Sequence, residues 1–417
     1  MMSHAGFHGL IDARVKALKE PKHKESGNPR FGFVGTGMMG CEHIHVTLSL
    51  GRAEVAAIHD PHQPSVELAL RTLDNYMVPK PTIHDSLEAL CADSSLDAIF
   101  ICTPNYTHRQ VFDTVKATGK PIFLEKPMAT TLTDAIHIAT SASTYRNVVQ
   151  LGMQYRYKSQ YLLARTALMS GDIGEVKTIS MSEYRPPFLG KVDEWNKFAI
   201  YSGGTLVEKC CHYFDLINQF AKSTPKRVFA SGGQAVNFLD FEHKEKRSDI
   251  DDHAFVIVEY HNGVRGQFSL NMFSEELYEE LVIGGSLGRL HAWENASFKL
   301  GKVSSAHIKV EVPDHPAYEG LACDYPESVE RTGHYGSTLF EHEQFLNALD
   351  GQTTDAATAS EGLWAIITAW MAQKSIEQGD VVDVRKALID ENCDPYQPDL
   401  MSGNLEQGIQ RHNDNNK

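Results

Sequence analysis

Between residue 31 and about residue 150, short apolar runs alternate with stretches whose apolar residues recur at helical spacing. That alternation predicts a parallel sheet with crossover helices. Strands are expected at 30–34, 54–59, 97–102, 121–124 and about 147–152, with a short extended piece at 82–84. Helices are expected after Gly40 through Leu50, over 65–73, over 107–118 closed by Gly119, and from about 133 to 144. Six strands with helices between them are what a dinucleotide-binding domain needs.

Beyond Tyr155 the pattern changes. Residues 176–184, 227–232, 254–260, 266–273 and 280–283 alternate or run apolar. His261-Asn262-Gly263 and the glycine-rich 284–288 supply turn signals between them. A largely antiparallel sheet is predicted, flanked by helices at 204–220, 335–349 and 356–378. The charge-dense 240–252 reads as an exposed loop, and the polar residues after Met401 read as a tail. Residues 1–29 form an extension carrying a short amphipathic stretch, with an oligomer contact as a possible use. The chain thus divides into an extension (1–29), a nucleotide-binding domain (30–153), a substrate and oligomerisation domain (154–385) and a tail (386–417).

Composition narrows the function. A length of 417 residues favours two domains over one. The net charge of −15 argues against nucleic acid or an anionic membrane as the main partner. No apolar stretch is long enough to span a bilayer, and no signal-type apolar region is present at the start, so a cytoplasmic location is expected. Seven cysteines at irregular spacing suit reduced thiols rather than a disulfide framework. Cys210-Cys211-His212 invites a metal reading, but adjacent residues diverge on a helix and no second Cys/His cluster has ligand spacing. No metal is expected.

The candidate chemistry starts at Gly35-Thr36-Gly37-Met38-Met39-Gly40, directly after the first strand. Its glycines allow a tight turn, a close approach of backbone to pyrophosphate, and close helix–strand packing. Asp60 ends the second strand 20 residues past Gly40. A carboxylate there holds the adenosine ribose and repels a 2′-phosphate, which favours NAD over NADP. Further on, 121–124 delivers Glu125-Lys126-Pro127 to a strand's carboxyl end, where open α/β sheets meet their ligands. Proline ends the ladder because it has no N–H to donate.

These motifs, with Thr103-Pro104-Asn105-Tyr106-Thr107-His108 after the fourth strand and the run from Gly203-Gly204-Thr205 through Glu208-Lys209 to His212-Tyr213-Phe214-Asp215, resemble the Gfo/Idh/MocA oxidoreductases. The resemblance spans about residues 30–384. It implies an α/β fold with an N-terminal Rossmann domain and a C-terminal α/β domain whose open, mainly antiparallel sheet walls the active site. That sheet often forms an oligomer interface, so a homodimer or homotetramer is expected. By the same resemblance Gly35, Thr36, Gly37, Met38, Met39 and Asp60 hold the cofactor, and Thr103, Pro104 and Asn105 line the nicotinamide ribose. His108 lies nearby, or else packs locally at its helix start. Glu125 braces the cofactor side, and Lys126 faces the reacting carbinol or carbonyl.

His212 then suits the general base, because imidazole titrates near neutral pH, whereas the alternative is a core histidine. Lys126 as ammonium stabilises the developing oxygen charge. The family commonly has Asp four residues before the histidine, and here it is Glu208. On one helix, i and i+4 share a face, so Glu208 can still assist, but its extra methylene weakens any specific inositol dehydrogenase reading. Arg156, Tyr157, Tyr184, Trp195 and His334 are candidate substrate contacts, each with an ordinary structural role as the alternative; Lys209 reads as solvated. The expected function is NAD-dependent oxidation of a sugar, cyclitol or derivative. A redox-neutral cycle through a keto sugar and a non-catalytic NAD/sugar sensor are the alternatives.

Overall fold

The computed structural model describes residues 27–296, 305–314, 321–322 and 324–392, together with residue 16. Most of the expected extension and tail, with Cys323 and Cys393, lies outside the described residues.

The first half is a six-stranded sheet of β1 (Arg30–Val34), β2 (Glu54–His59), β3 (Thr82–Ile83), β4 (Ala98–Ile101), β5 (Ile122–Glu125) and β6 (Val149–Gly152). Its order is β3-β2-β1-β4-β5-β6 and every pairing is parallel. Strand order reverses between β1 and β4, which opens a crevice beyond their carboxyl ends. Between the strands run α1 (Met38–Leu50), α2 (Gln63–Asp74), α3 (Leu87–Cys91), α4 (His108–Lys116) and α5 (Leu132–Ser143). Burial on both faces explains why β4 reads as an unbroken apolar run, Ala98-Ile99-Phe100-Ile101, with all four residues buried.

After α6 (Ser159–Met169), the second half builds a nine-stranded sheet. Its long members are β7 (Val176–Tyr184) and β8 (Pro225–Gly233). Past a small hairpin, β9 (Glu242–His243) and β10 (Lys246–Arg247), come β11 (His253–Tyr260), β12 (Arg265–Asn271), β13 (Leu277–Gly285), β14 (Arg289–Ala296) and β15 (Ser305–Glu311). Short edge strands β16 (Leu321–Ala322) and β17 (Val382–Asp383) complete it. Only β7 and β12 pair in parallel; the other neighbours are antiparallel. The alternating pattern at β11, with Ala254, Val256 and Val258 buried and Phe255 and Ile257 exposed, shows one face packed on helices.

Two expectations change here. The helix expected over 204–220 is broken into α7 (Thr205–Glu208) and α8 (Cys211–Ala221). The apolar period continues through the break, so the pattern alone could not reveal it. The charge-dense 240–252 is not simply an exposed loop. Asp252 is buried and accepts hydrogen bonds from the backbone N–H groups of Ala235, Val236 and Asn237 at 2.7–3.0 Å.

Helices α9 (Ser337–Leu349) and α10 (Ala359–Gln378) join the halves. Phe345 of α9 meets the Phe31, Phe100 and Phe123 rings edge-on or tilted, with centroids 5.2–5.9 Å apart. A capping box starts α10: the Thr358 hydroxyl accepts from the Glu361 N–H while the Glu361 carboxylate accepts from the Thr358 N–H.

Candidate active site

The turn after β1 requires its glycines for steric reasons. Gly35 has φ +87°, and a Cβ there would sit 2.7 Å from the Cys102 backbone. A Cβ on Gly40 would collide with the Gly35 carbonyl oxygen. At Gly37, by contrast, a Cβ would meet nothing within 4 Å, so this side of the turn is open. Helix α1 starts there with no side-chain cap and no acid in its first turn. Its leading N–H groups therefore line an open turn with a positive dipole end, which fits a pyrophosphate. Asp60 stands alongside, its carboxylate accepting from the Thr36 N–H (2.7 Å) and the His62 N–H (2.8 Å). Met38 is exposed at the mouth of the turn and Met39 is partly so.

The loop after β4 carries Thr103, Pro104 and Asn105 at the same sheet edge. Asn105 is buried and its amide donates to the Ser202 carbonyl (3.3 Å), tying this loop to the second half. His108 is fully buried between two carbonyls, with Nδ1 2.8 Å from Pro127 O and Nε2 2.9 Å from Thr103 O. Both ring nitrogens are thus engaged. His108 fastens the Thr103 loop to the Lys126 turn, which matches the local packing alternative. Glu125 also turns inward: Oε1 lies 2.6 Å from His43 Nε2, and Oε2 accepts the Lys126 N–H at 2.9 Å. It braces Lys126 through that backbone N–H.

At the strand end, the Lys126 ammonium donates to the Glu208 carbonyl oxygen (3.1 Å) and lies 3.5 Å from the Glu208 carboxylate. The break between α7 and α8 falls directly after this carbonyl. Burial opposes the Lys126 charge, but Glu208, Cys211 and Glu125 outweigh it and raise the pKa, so the group stays an ammonium. Burial likewise opposes the Glu208 charge, yet Lys126 and Lys191 hold its carboxyl down to about 2. Lys191, which no sequence signal marked, bonds Glu208 Oε1 at 2.7 Å and sits 4.4 Å over the Trp195 ring. Trp195 thus reaches this cluster through Lys191.

His212 lies flat on Tyr155, with centroids 4.1 Å apart and planes 5° from parallel. Its Nδ1 is buried with no hydrogen-bond partner among the described residues. Burial, then the Lys126 and Lys209 charges, push its pKa well below the ordinary imidazole value, so the ring is neutral at physiological pH. Lys209 is not solvated as expected. It is buried, donates to the Tyr155 hydroxyl (2.5 Å) and pairs with Glu183 at 3.0 Å. The lysine beneath Tyr155 and the stacked ring together set the plane of His212.

The remaining expected substrate contacts have these surroundings. Arg156 is buried with its guanidinium fork on Asp215 (2.7 and 2.5 Å) and its remaining nitrogen on Glu361 (3.3 Å). These partners satisfy it internally and leave no fork for a substrate. Tyr157 is buried, its hydroxyl donating to the Asp355 carbonyl (3.3 Å) while its own carbonyl accepts from Tyr325 (2.6 Å). Tyr184 is exposed beside Tyr278, because strand alternation sends it away from the face that Glu183 occupies. His334 is held 2.6 Å from Glu42 and lies 6.2 Å from the Tyr155 ring, beside the His212 stack. Tyr155 and Glu183 stand next to residues the sequence singles out, but burial and stacking, which order along a chain does not encode, give them their place.

Comparison with known proteins follows this geometry. Residues 29–153 match the model described as the oxidoreductase family's NAD-binding Rossmann fold, and 165–384 match that family's C-terminal alpha/beta domain. The chain is 24% identical over 356 residues to the uncharacterized oxidoreductase YrbE of Bacillus subtilis, covering 85% of this chain and 96% of that one. It is 23% identical over 362 residues to myo-inositol 2-dehydrogenase of Thermotoga maritima, covering 86% and 99%. Among solved structures, levoglucosan dehydrogenase in complex with NADH and levoglucosan superposes with a TM-score of 0.70 at 17% identity, covering 86% and 99%.

Proposed function

Because the chain belongs to the Gfo/Idh/MocA family of NAD-binding oxidoreductases, we propose that it is a dehydrogenase acting on a secondary carbinol of a sugar, cyclitol or sugar derivative. One observation carries this reading: His212, whose buried Nδ1 has no hydrogen-bond partner among the described residues, is kept neutral first by burial and then by the field of the Lys126 ammonium. A base that is free at neutral pH beside a fixed positive charge is what removal of a hydroxyl proton requires.

When bound, NAD supplies the nicotinamide that takes the hydride from the carbinol carbon. Gly35, Thr36, Gly37, Met38, Met39 and Asp60 would hold its dinucleotide end, and Thr103, Pro104 and Asn105 its nicotinamide ribose. His212 accepts the hydroxyl proton. Lys126 holds the negative charge that grows on the oxygen, and Glu208 keeps both Lys126 and Lys191 in position. Trp195 and His334 border the same space and complete the candidate substrate pocket. The polyol class is supported by relatives whose names are inositol and levoglucosan dehydrogenases.

The direct test is cofactor reduction across a panel of cyclitols, aldoses, uronates and amino sugars. NADH should appear with at least one polyol, and NADP should be reduced far more slowly because Asp60 repels a 2′-phosphate. Turnover of a sugar without net NADH would replace this reading by a redox-neutral cycle. Tight NAD binding with no turnover of any compound would leave a sensor.

The outer face of the second sheet supports a homo-oligomer. Phe255 (63% exposed) and Ile257 (50%) project from β11, and Ile257 stands directly opposite the exposed Phe229 of β8. Contiguous apolar surface of this kind marks an interface. Sedimentation should give a dimer or tetramer, and the double substitution Phe255→Glu with Ile257→Glu should release monomers. A wild-type monomer at tens of micromolar would refute it.

A further inference from the structure

Behind the Lys126 turn lies a buried group of side chains that the proposed reaction does not use. His43 comes from α1, Glu125 from β5 and Glu341 from α9, and one donor atom from each lies within 4.8 Å of the others. All three are at least 97% buried. The chamber is walled by aromatic rings, with Phe123 at 4.9 Å and Phe100 at 5.7 Å from the His43 ring.

We propose that His43, Glu125 and Glu341 bind one divalent cation, best suited to zinc, which ties α9 to the nucleotide-binding sheet. Glu341 points most directly to it: both carboxylate oxygens are buried without a hydrogen-bond partner among the described residues. A proton would neutralise this group and give it a donor, but as the side chains stand neither oxygen has a partner among the described residues, a costly state away from water. A cation satisfies the lone pairs and balances two carboxylates with two charges. Donors near 2 Å from a metal lie up to about 4 Å from one another, so small side-chain shifts bring these three into range.

The surroundings have the features of a metal site. His43 Nδ1 lies 2.7 Å from His342 Nε2, and His342 Nδ1 lies 3.4 Å from the Thr47 hydroxyl. A ligating histidine has its second nitrogen held in this way; the first, Nε2, lies 2.6 Å from Glu125 Oε1, a hydrogen bond that a cation binding both atoms would replace. One imidazole with two carboxylates suits zinc, with a water taking the fourth position, whereas calcium and magnesium call for about six or more oxygens, many from water. The site's role is structural: it clamps α9 and, through Glu125 and the Lys126 N–H, steadies the strand end.

The test uses the full chain, purified without metal-affinity steps, and zinc chloride as the probe. Mass spectrometric metal analysis should find one equivalent per chain, and zinc should raise the Tm of chelator-treated protein. Glu341→Gln should abolish both, weakening zinc binding by more than the roughly 10–100-fold that outer partners contribute. A wild-type protein that is metal-free and whose Tm does not respond to excess zinc overturns the proposal, whether or not Glu341→Gln folds. So does a Glu341→Gln protein that keeps the equivalent.

Discussion

Lys126→Met is expected to lower kcat by about 10²–10³-fold, the loss typical for one preorganised donor to a developing oxyanion, while leaving the Kd for NAD unchanged. Methionine keeps the stem but removes the charge. Two consequences follow from the geometry. The Glu208 carboxylate loses one of its two close cations and keeps Lys191 at 2.7 Å, so the fold should survive. His212 loses the strongest positive field after burial, so its pKa should rise.

That second effect gives a readout which a structural role would not produce. In the wild type His212 titrates well below the ordinary value near 6.5. Its neutral form persists on acidification, so kcat/KM should stay flat through pH 6.5 and fall only below it. In Lys126→Met the acid limb should move upward toward 6.5. His212→Asn should lower kcat by about 10²–10⁴-fold and remove that limb. Pre-steady-state and pH-rate measurements decide both. An unchanged kcat in Lys126→Met would remove the lysine from the chemistry, and an unmoved limb would separate it from His212.

Arg156→Met is expected to cost about 3–5 kcal/mol of stability, because it strands buried charges that the guanidinium now neutralises. Asp215 and Glu361 both face Arg156 from within the core. Asp215 already sits above its usual carboxylate range through burial, offset in part by Arg156, and it would have no cation on its oxygens once the arginine is gone. A Tm lower by on the order of 10 °C follows, measurable by differential scanning calorimetry. KM for the best substrate should stay within about twofold on the folded fraction. A large rise in KM at unchanged Tm would return Arg156 to the substrate pocket. The two outcomes separate a positioning crosspiece from a ligand.

How far the candidate site could be read from order along the chain depends on the kind of constraint. Gly35, Gly40 and Asp60 were legible because local geometry dictates them: a left-handed turn, a helix pressed on a carbonyl and a carboxylate at a neighbouring strand end. Lys126 was legible because β5 ends at its neighbour and strand ends in such sheets meet ligands. The internal partners of Arg156 and Tyr157 were not legible, because polar and aromatic residues near a cleft look alike whether they face it or face away. Only their partners, Asp215, Glu361 and Asp355, decide the matter. His108 and Glu125 occupy the expected places, but their polar atoms are spent on Pro127, Thr103 and His43.

Periodicity and motif order alone determined the two-part architecture, the parallel and mainly antiparallel sheets, the nucleotide turn and the lysine at the strand end. Each leaves its signal in a short stretch of chain, which a linear pattern records, although the sheets themselves pair distant strands such as β1 with β4 and β7 with β13. Tertiary structure alone decided the break after Glu208, the burial of Lys209, the stacking of His212 on Tyr155 and the meeting of His43, Glu125 and Glu341. These depend on which segments far apart in the chain are pressed together, and on how burial weighs against neighbouring charge once water is excluded.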